Sequence, residues 1–264
     1  MRASDDELLA VAHAAARAAA GELRARFGHV VHGVRAKSSP TDPVSDADLA
    51  AEAAIRRVLA RERPRDSILG EEGGATGGEA ELRWVVDPLD GTVNFLYGIP
   101  TFAVSVACED GAGAIAGVVL DPLRDECFAA TRSGVATLNG EPIRASTRIE
   151  LPSALVATGF AYDASVRALQ AQVLARLLPR VRDVRRAGAA ALDLCSCACG
   201  RLDAYYERGL NAWDHAAGSL ICVRAGASVR RLEAQGPLPE GLVVAPGALI
   251  DSLYQLVATG SDAP

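Results

Sequence analysis

The stretch Trp84-Val85-Val86-Asp87-Pro88-Leu89-Asp90-Gly91-Thr92-Val93-Asn94-Phe95 opens with a short apolar run that reads as a buried strand. Pro88 and Gly91 are the residues expected to stop that strand and set a tight turn. Asp87 and Asp90 fall within the turn, and closely spaced carboxylates at a strand end call for something positive nearby. Hard oxygen donors of this kind suit Mg²⁺ or Mn²⁺. Backbone N–H groups at Gly91 and Thr92, where a turn or helix would begin, suit an oxyanion such as phosphate. Metal and phosphate side by side point to a phosphoesterase. Taken alone, the turn also fits a solvated corner with Asp as turn former. The D-x-D-G-T nucleophile motif of haloacid-dehalogenase phosphatases is out of register here, because two residues separate Asp87 from Asp90.

Working outward, two more segments bring acids to element ends. Ser67-Ile68-Leu69-Gly70-Glu71-Glu72-Gly73-Gly74 is again an apolar strand ending in acids and glycines. Two prolines forbid a helix through the first part of Lys37–Asp48, after which Ser45 or Asp46 can cap a helix from about Ala47 to Leu59. Asp48 would lie in its first turn and, by itself, reads as complementing the macrodipole. Asn211-Ala212-Trp213-Asp214-His215 opens a further helix through Cys222, with Asp214 in its first turn and His215 expected to pack beside the site rather than to ligate.

The remaining pattern is mixed. An Ala-rich helix is expected from Glu7 to Phe27, with His13 at its surface or edge, and His29 and His32 in the loop or strand beyond. Three antiparallel strands follow the central motif, at Ala103–Ala107, Ile115–Leu120 and Cys127–Ala130. Gly111–Gly117 reads as a hairpin turn and not a dinucleotide loop, since a strand follows it. Strands at 153–158, 181–184 and 203–207 alternate with helices at 164–178 and 189–199, and a last helix runs over 247–257. Arg180, Arg182, Arg185 and Arg186 suggest a solvated or subunit-contact face, one of which could reach a phosphate. The boundary between halves falls near Gly140–Leu151, giving residues 1–145 and 146–264.

The 264 residues carry 27 Lys plus Arg against 33 Asp plus Glu, a formal charge of −6 that is unsuited to non-specific nucleic-acid binding. Half the residues are hydrophobic, so the chain is globular. No stretch is long and uncharged enough to span a bilayer, and the acidic start does not resemble a signal peptide, so a cytoplasmic protein is expected. Cys195, Cys197 and Cys199 lack the spacing of zinc or redox motifs and read as small hydrophobes.

Together these motifs resemble the inositol monophosphatase family of magnesium-dependent, lithium-sensitive phosphatases. The likeness rests on Lys37–Asp48, Gly70-Glu71-Glu72, Asp87–Thr92, Gly200-Arg201-Leu202-Asp203-Ala204-Tyr205-Tyr206-Glu207 and Trp213-Asp214, in order over nearly the whole chain. The resemblance implies a layered α-β-α-β-α sugar-phosphatase-type fold, with an α+β first half and an α/β second half. It implies that Glu71, Asp87 and the Leu89 carbonyl hold one Mg²⁺, that Asp87, Asp90 and Asp214 hold a second, and that Glu71 assists a weak third. Thr92 and Asp48 would activate the attacking water, and the Gly91 and Thr92 N–H groups would receive phosphate. Gly188, Ala190 and Glu207 would surround the polyol. Where the family often has Gly-Ser-Ala, this chain has Gly188-Ala189-Ala190 and so lacks a hydroxyl. The expectation is a homodimeric, Mg²⁺-dependent hydrolase of inositol monophosphate. Histidinol phosphate, fructose 1,6-bisphosphate and 3′-phosphoadenosine 5′-phosphate are rival substrates, and a regulatory protein binding a protein or RNA partner on the same fold is a rival class.

Overall fold

The structure is a computed structural model that describes residues 3–29, 33–36, 43–78 and 81–259. His32 and Lys37–Asp42, which entered the sequence reading, lie outside the described residues.

Helix α1 (Asp5–Arg26) begins at a Ser4/Glu7 capping box, in which each side chain takes the other residue's backbone N–H. Ala12, Ala15, Ala16, Ala19 and Ala20 line its buried face, and side chains this small let α2 (Asp46–Glu62) approach closely. Between the helices, β1 (Arg35–Ala36) pairs antiparallel with β2 (Pro43–Val44).

Next come β3 (Ser67–Gly70), β4 (Gly74–Thr76), β5 (Arg83–Asp90), the short helix α3 (Thr92–Leu96), β6 (Ala103–Asp110), β7 (Gly113–Asp121), β8 (Glu126–Thr131), β9 (Thr137–Leu138) and β10 (Glu141–Pro142). They form an eight-stranded sheet in the order β10-β9-β8-β7-β6-β5-β3-β4. The rest of the chain is β11 (Leu155–Thr158), α4 (Ala164–Leu177), β12 (Asp183–Arg185), α5 (Ala190–Ala198), β13 (Ala204–Arg208), α6 (Ala212–Arg224), β14 (Ser228–Leu232), β15 (Gly241–Ala245) and α7 (Ile250–Val257). Its sheet has the order β12-β11-β13-β15-β14, with parallel pairs at β11 and antiparallel pairs at β15.

Three apolar layers bind the stack. Alternate residues of β5, β6 and β7, including Trp84, Val86, Val104, Val106 and Val118, face α1 and α2. The opposite side chains, Val85, Ala107, Val119 and Phe128, face α5 and α6, which also pack against Tyr205 and Val244 of the second sheet. The far face of that sheet, with Val156, Tyr206 and Val243, is covered by α4 and α7. The architecture is α-β-α-β-α, as the family resemblance implies.

One expectation is corrected. Strand β5 does not stop at Pro88 but runs on to Asp90, its register shifting between Asp87 and Asp90 against β6. Asp87 pairs with Ser105 and Asp90 with Ala103, so three steps on β5 meet two on β6. A bulge is where a strand tolerates a proline, since the ladder there asks for no N–H.

Candidate active site

The parallel pairing of β3 and β5 aligns Gly70 with Val86, so the next residues, Glu71 and Asp87, emerge side by side. The bulge then swings Asp90 back toward the same end. Helix α6 brings Asp214 in its first turn, held to the first sheet where Ser105 Oγ donates to the Trp213 carbonyl at 3.1 Å. A cavity of about 430 Å³ results, and every residue nominated from sequence lines it except Asp48, which stands behind Thr92.

Thr92 Oγ1 lies 2.9 Å from Asp48 Oδ1 and 3.0 Å from the Leu89 carbonyl, and its single hydroxyl hydrogen can serve one of them at a time. Asp48 Oδ2 accepts from Ser45 N–H at 2.8 Å and Ser45 Oγ at 2.6 Å. One Asp48 oxygen serves the helix cap, and the other reaches Thr92, the residue with which the resemblance pairs it. Gly91 begins α3 at φ 95°, a left-handed conformation, and a Cβ there would press on the Thr101 and Gly188 carbonyls.

Asp87 is almost wholly buried, with Oδ1 accepting from Leu89 N–H at 3.0 Å. Burial, then the charges of Glu71, Asp90 and Asp214, push its carboxyl well above the usual range, and it shares a hydrogen bond with Glu71. Asp90 accepts from Ala190 N–H at 3.1 Å and Ala191 N–H at 2.7 Å. Burial pushes it up to about 7, with those N–H groups holding it down. It thus caps α5, whose own N-cap residue, Ala189, has no side-chain oxygen to offer. The hydroxyl missing from Gly188-Ala189-Ala190 is not needed for the cap. Asp214 takes Asn211 N–H at 2.6 Å and is raised by burial and by Asp90 and Glu71.

Glu207, on β13, accepts from Tyr205 Oη at 2.6 Å, and burial raises its carboxyl while that bond lowers it. Of the four arginines singled out in the sequence, Arg186 lines the cavity, whereas Arg185 pairs with Asp183. His215 points instead into a separate cavity with Ser219 and Leu242. No cysteine is in a disulfide, and burial raises the thiols of Cys195, Cys197 and Cys222.

Three contributors escaped the sequence reading. Glu52, buried on α2, accepts from Glu72 N–H at 2.8 Å and Gly73 N–H at 2.9 Å while Arg56 Nε donates to it at 2.6 Å. It fixes the turn that presents Glu71, and a Cβ at Gly73 would collide with it. A glutamate on the buried face of a helix was the available signal. Asn94 Nδ2 bridges the Thr101 and Ala187 carbonyls at 2.7 and 2.9 Å, tying α3 to the loop before α5. Asp193, buried on α5, is pushed up to about 8 by burial and then by Glu207 and Asp90.

The donor set fits a hard divalent cation: all its donors are oxygens, and Glu71 and Asp87 lie within hydrogen-bond reach of each other, as two carboxylates that would share a cation must. Among the described residues, no three His, Cys, Asp or Glu side chains are already gathered as a ready-made metal cluster. No helix of the described residues is long and apolar enough to cross a membrane.

Comparison with known proteins adds the following. Residues 4–259 match the model of the inositol monophosphatase family. An inositol-1-monophosphatase of Mycobacterium leprae is 46% identical, over 91% of this chain and 89% of the relative. A Nus factor SuhB of Xylella fastidiosa is 39% identical, over 84% of each. The crystal structure of the extragenic suppressor protein suhB of Bartonella henselae superposes with a TM-score of 0.88 at 35% identity, covering 96% of this chain and 98% of that one.

Proposed function

Since the chain belongs to the inositol monophosphatase family and is a phosphatase enzyme, we propose that it hydrolyses inositol monophosphate to inositol and phosphate in a Mg²⁺-dependent reaction. The observation that carries this reading is the convergence of Glu71, Asp87, Asp90 and Asp214, from separate elements, on one cavity shared with the Thr92–Asp48 pair and Glu207.

Glu71, Asp87, the Leu89 carbonyl, Asp90 and Asp214 would hold two or three Mg²⁺, or Mn²⁺ in their place. When bound, the cations supply positive charge against the phosphate oxygens and lower the proton affinity of water. The protein's own groups do the rest. Thr92 Oγ1, already hydrogen-bonded to Asp48 Oδ1, orients the attacking water, and Asp48 takes the proton passed through that contact. Gly91 and Thr92 N–H groups receive the phosphate. Gly188 and Ala190 leave space for the polyol ring, and Glu207 accepts from its hydroxyls. The enzyme acts in the cytoplasm as a homodimer, and it is inhibited by Li⁺ competing at the second cation position.

Phosphate release from inositol 1-phosphate, histidinol phosphate, fructose 1,6-bisphosphate and 3′-phosphoadenosine 5′-phosphate, with Mg²⁺ and with EDTA, tests the reading. The highest kcat/KM is expected on inositol phosphate, with loss of turnover in EDTA. Preference for another member of the panel would reassign the substrate, and turnover undiminished by EDTA would end the metal assignment. Full activity in high Li⁺ at limiting Mg²⁺ would remove the lithium claim. A second reading, a role like that of the Nus factor relative, draws on that similarity alone. A pure binding protein has no physical use for the assembled carboxylates.

A further inference from the structure

Glu207 is held more firmly than a carboxylate at a cavity wall needs to be. Tyr205 lies two residues earlier on β13, so the two side chains leave the same face of the strand. Its ring is fully buried between the sheets, and its hydroxyl donates to Oε2 of Glu207 at 2.6 Å. Oε1 has no protein hydrogen-bond partner among the described residues, although the residue lines the cavity. On the other side stands Gly159. Parallel pairing of β11 with β13 sets Thr158 opposite Tyr206, and a Cβ on the next residue would fall 2.0 Å from Oε2 and 2.1 Å from Oε1. The carboxylate is thus fixed by a donor at one oxygen and by backbone packed flat against it. The water-activating pair, Thr92 and Asp48, makes no use of Tyr205.

We propose that Tyr205 is a positioning residue for substrate selection: its hydroxyl anchors Oε2 of Glu207 and leaves Oε1 aimed into the cavity for a polyol hydroxyl. This rests on the reading of Glu207 as the polyol contact. The competing account is that Glu207 merely satisfies a buried phenol, which needs a partner wherever it sits. The two accounts differ in which substrates would notice the loss of the hydroxyl. An anchored acceptor discriminates because a misplaced carboxylate leaves the substrate's hydroxyls unpaired, a penalty that a substrate without hydroxyls does not incur.

Tyr205→Phe and Glu207→Gln, singly and together, are assayed on inositol 1-phosphate and on p-nitrophenyl phosphate at saturating Mg²⁺. Tyr205→Phe is expected to lower kcat/KM for inositol phosphate about tenfold, as loss of a charge-assisted hydrogen bond would, chiefly through KM. The loss on the aryl phosphate should be much smaller. In the Glu207→Gln background, adding Tyr205→Phe should cost little more, since both changes strike one contact. Equal losses on both substrates, or losses that add in the double variant, would show a structural prop and overturn the proposal. A selective Glu207→Gln beside an indifferent Tyr205→Phe overturns it too, but leaves the polyol reading standing. An unselective Glu207→Gln removes that reading and this proposal with it. Should Tyr205→Phe not fold, Gly159→Ala, which presses on the same carboxylate, must give the same selective loss.

Discussion

Replacing Asp90 with Asn exchanges one oxygen for an amide nitrogen where two demands meet. The carboxylate accepts from the Ala190 and Ala191 N–H groups, and Asn can offer an oxygen to only one of them. Leaving the other N–H without its acceptor costs about 1–3 kcal/mol. Against this stands the burial that raises the Asp90 carboxyl from 3.8 to about 7. A carboxyl raised in the folded state binds its proton more tightly there than when unfolded. Its ionisation therefore erodes stability as pH climbs from about 4 to about 7, by an amount on the order of 4 kcal/mol at the top of that window. At pH 8 without cation, Asn removes that penalty and loses the cap bond, so the variant should be as stable as the wild type or slightly more so. At pH 5 the wild-type carboxyl is protonated, and the variant should be the less stable. Excess Mg²⁺ should reverse the pH 8 order. A cation bound only by the native state adds about 2.7 kcal/mol at a hundredfold excess over Kd, and the variant lacks one of the oxygens proposed to hold it. Melting curves of both proteins at pH 5 and 8, in EDTA and in Mg²⁺, give the answer, each kcal/mol being about 2–4 °C for a chain of this size. Destabilisation by the same amount in all four conditions would refute the reasoning and leave Asp90 as a helix cap only. Turnover should be nearly abolished in the variant, and wild-type phosphate release at saturating Mg²⁺ would be equally damaging.

Glu52→Gln should loosen the turn that carries Glu71, lowering kcat/KM on all substrates alike and raising the Mg²⁺ needed for half activation; an unchanged Mg²⁺ titration would count against it. Thr92→Val should lower kcat by about 10²–10⁴, the usual share of positioned proton transfer, while Thr92→Ser keeps most of it; a nearly wild-type Val enzyme would release Thr92 from the mechanism. Asp193, raised to about 8 by burial and by Glu207 and Asp90, should cost stability increasingly from about pH 4 to pH 8. Asp193→Asn should then raise Tm at pH 8 and not at pH 5, and parallel pH profiles for the two proteins would contradict that.

Much of the candidate site could be read from the sequence because the acids that line its cavity sit at element ends, where apolar runs give way to acids and glycine. Asp87, Asp90, Glu71 and Asp214 announce themselves in this way; periodicity gives the individual strands and helices around them, and their layering comes from the family resemblance. Pro88 misled because a proline is a strand breaker by composition alone. Only the partner strand shows that the ladder asks for no N–H there. Glu52 and Asp193 sit inside helical patterns; the buried-face position of Glu52 marks it as unusual, but what either acid holds shows only when the neighbouring element is known. Tyr205 looks like a strand aromatic, and its hydroxyl gains a purpose only when Glu207 is placed beside it. The role of Asp90 as cap to a helix 100 residues away has no local signal at all.

The sharing of α5 and α6 between two sheets bears on how the chain is made. As synthesis proceeds from the N-terminus, α1 and α2 are available to cover one face of the first sheet as soon as its strands form. The other face, with Val85, Ala107, Val119 and Phe128, has nothing to bury against until residues 190–224 have left the ribosome. For that interval the nascent protein carries a broad apolar surface together with acids that lack their last companion, Asp214. Such a half-made sheet is a natural client for chaperones, and a chain cut near residue 145 should aggregate rather than persist as a small stable domain.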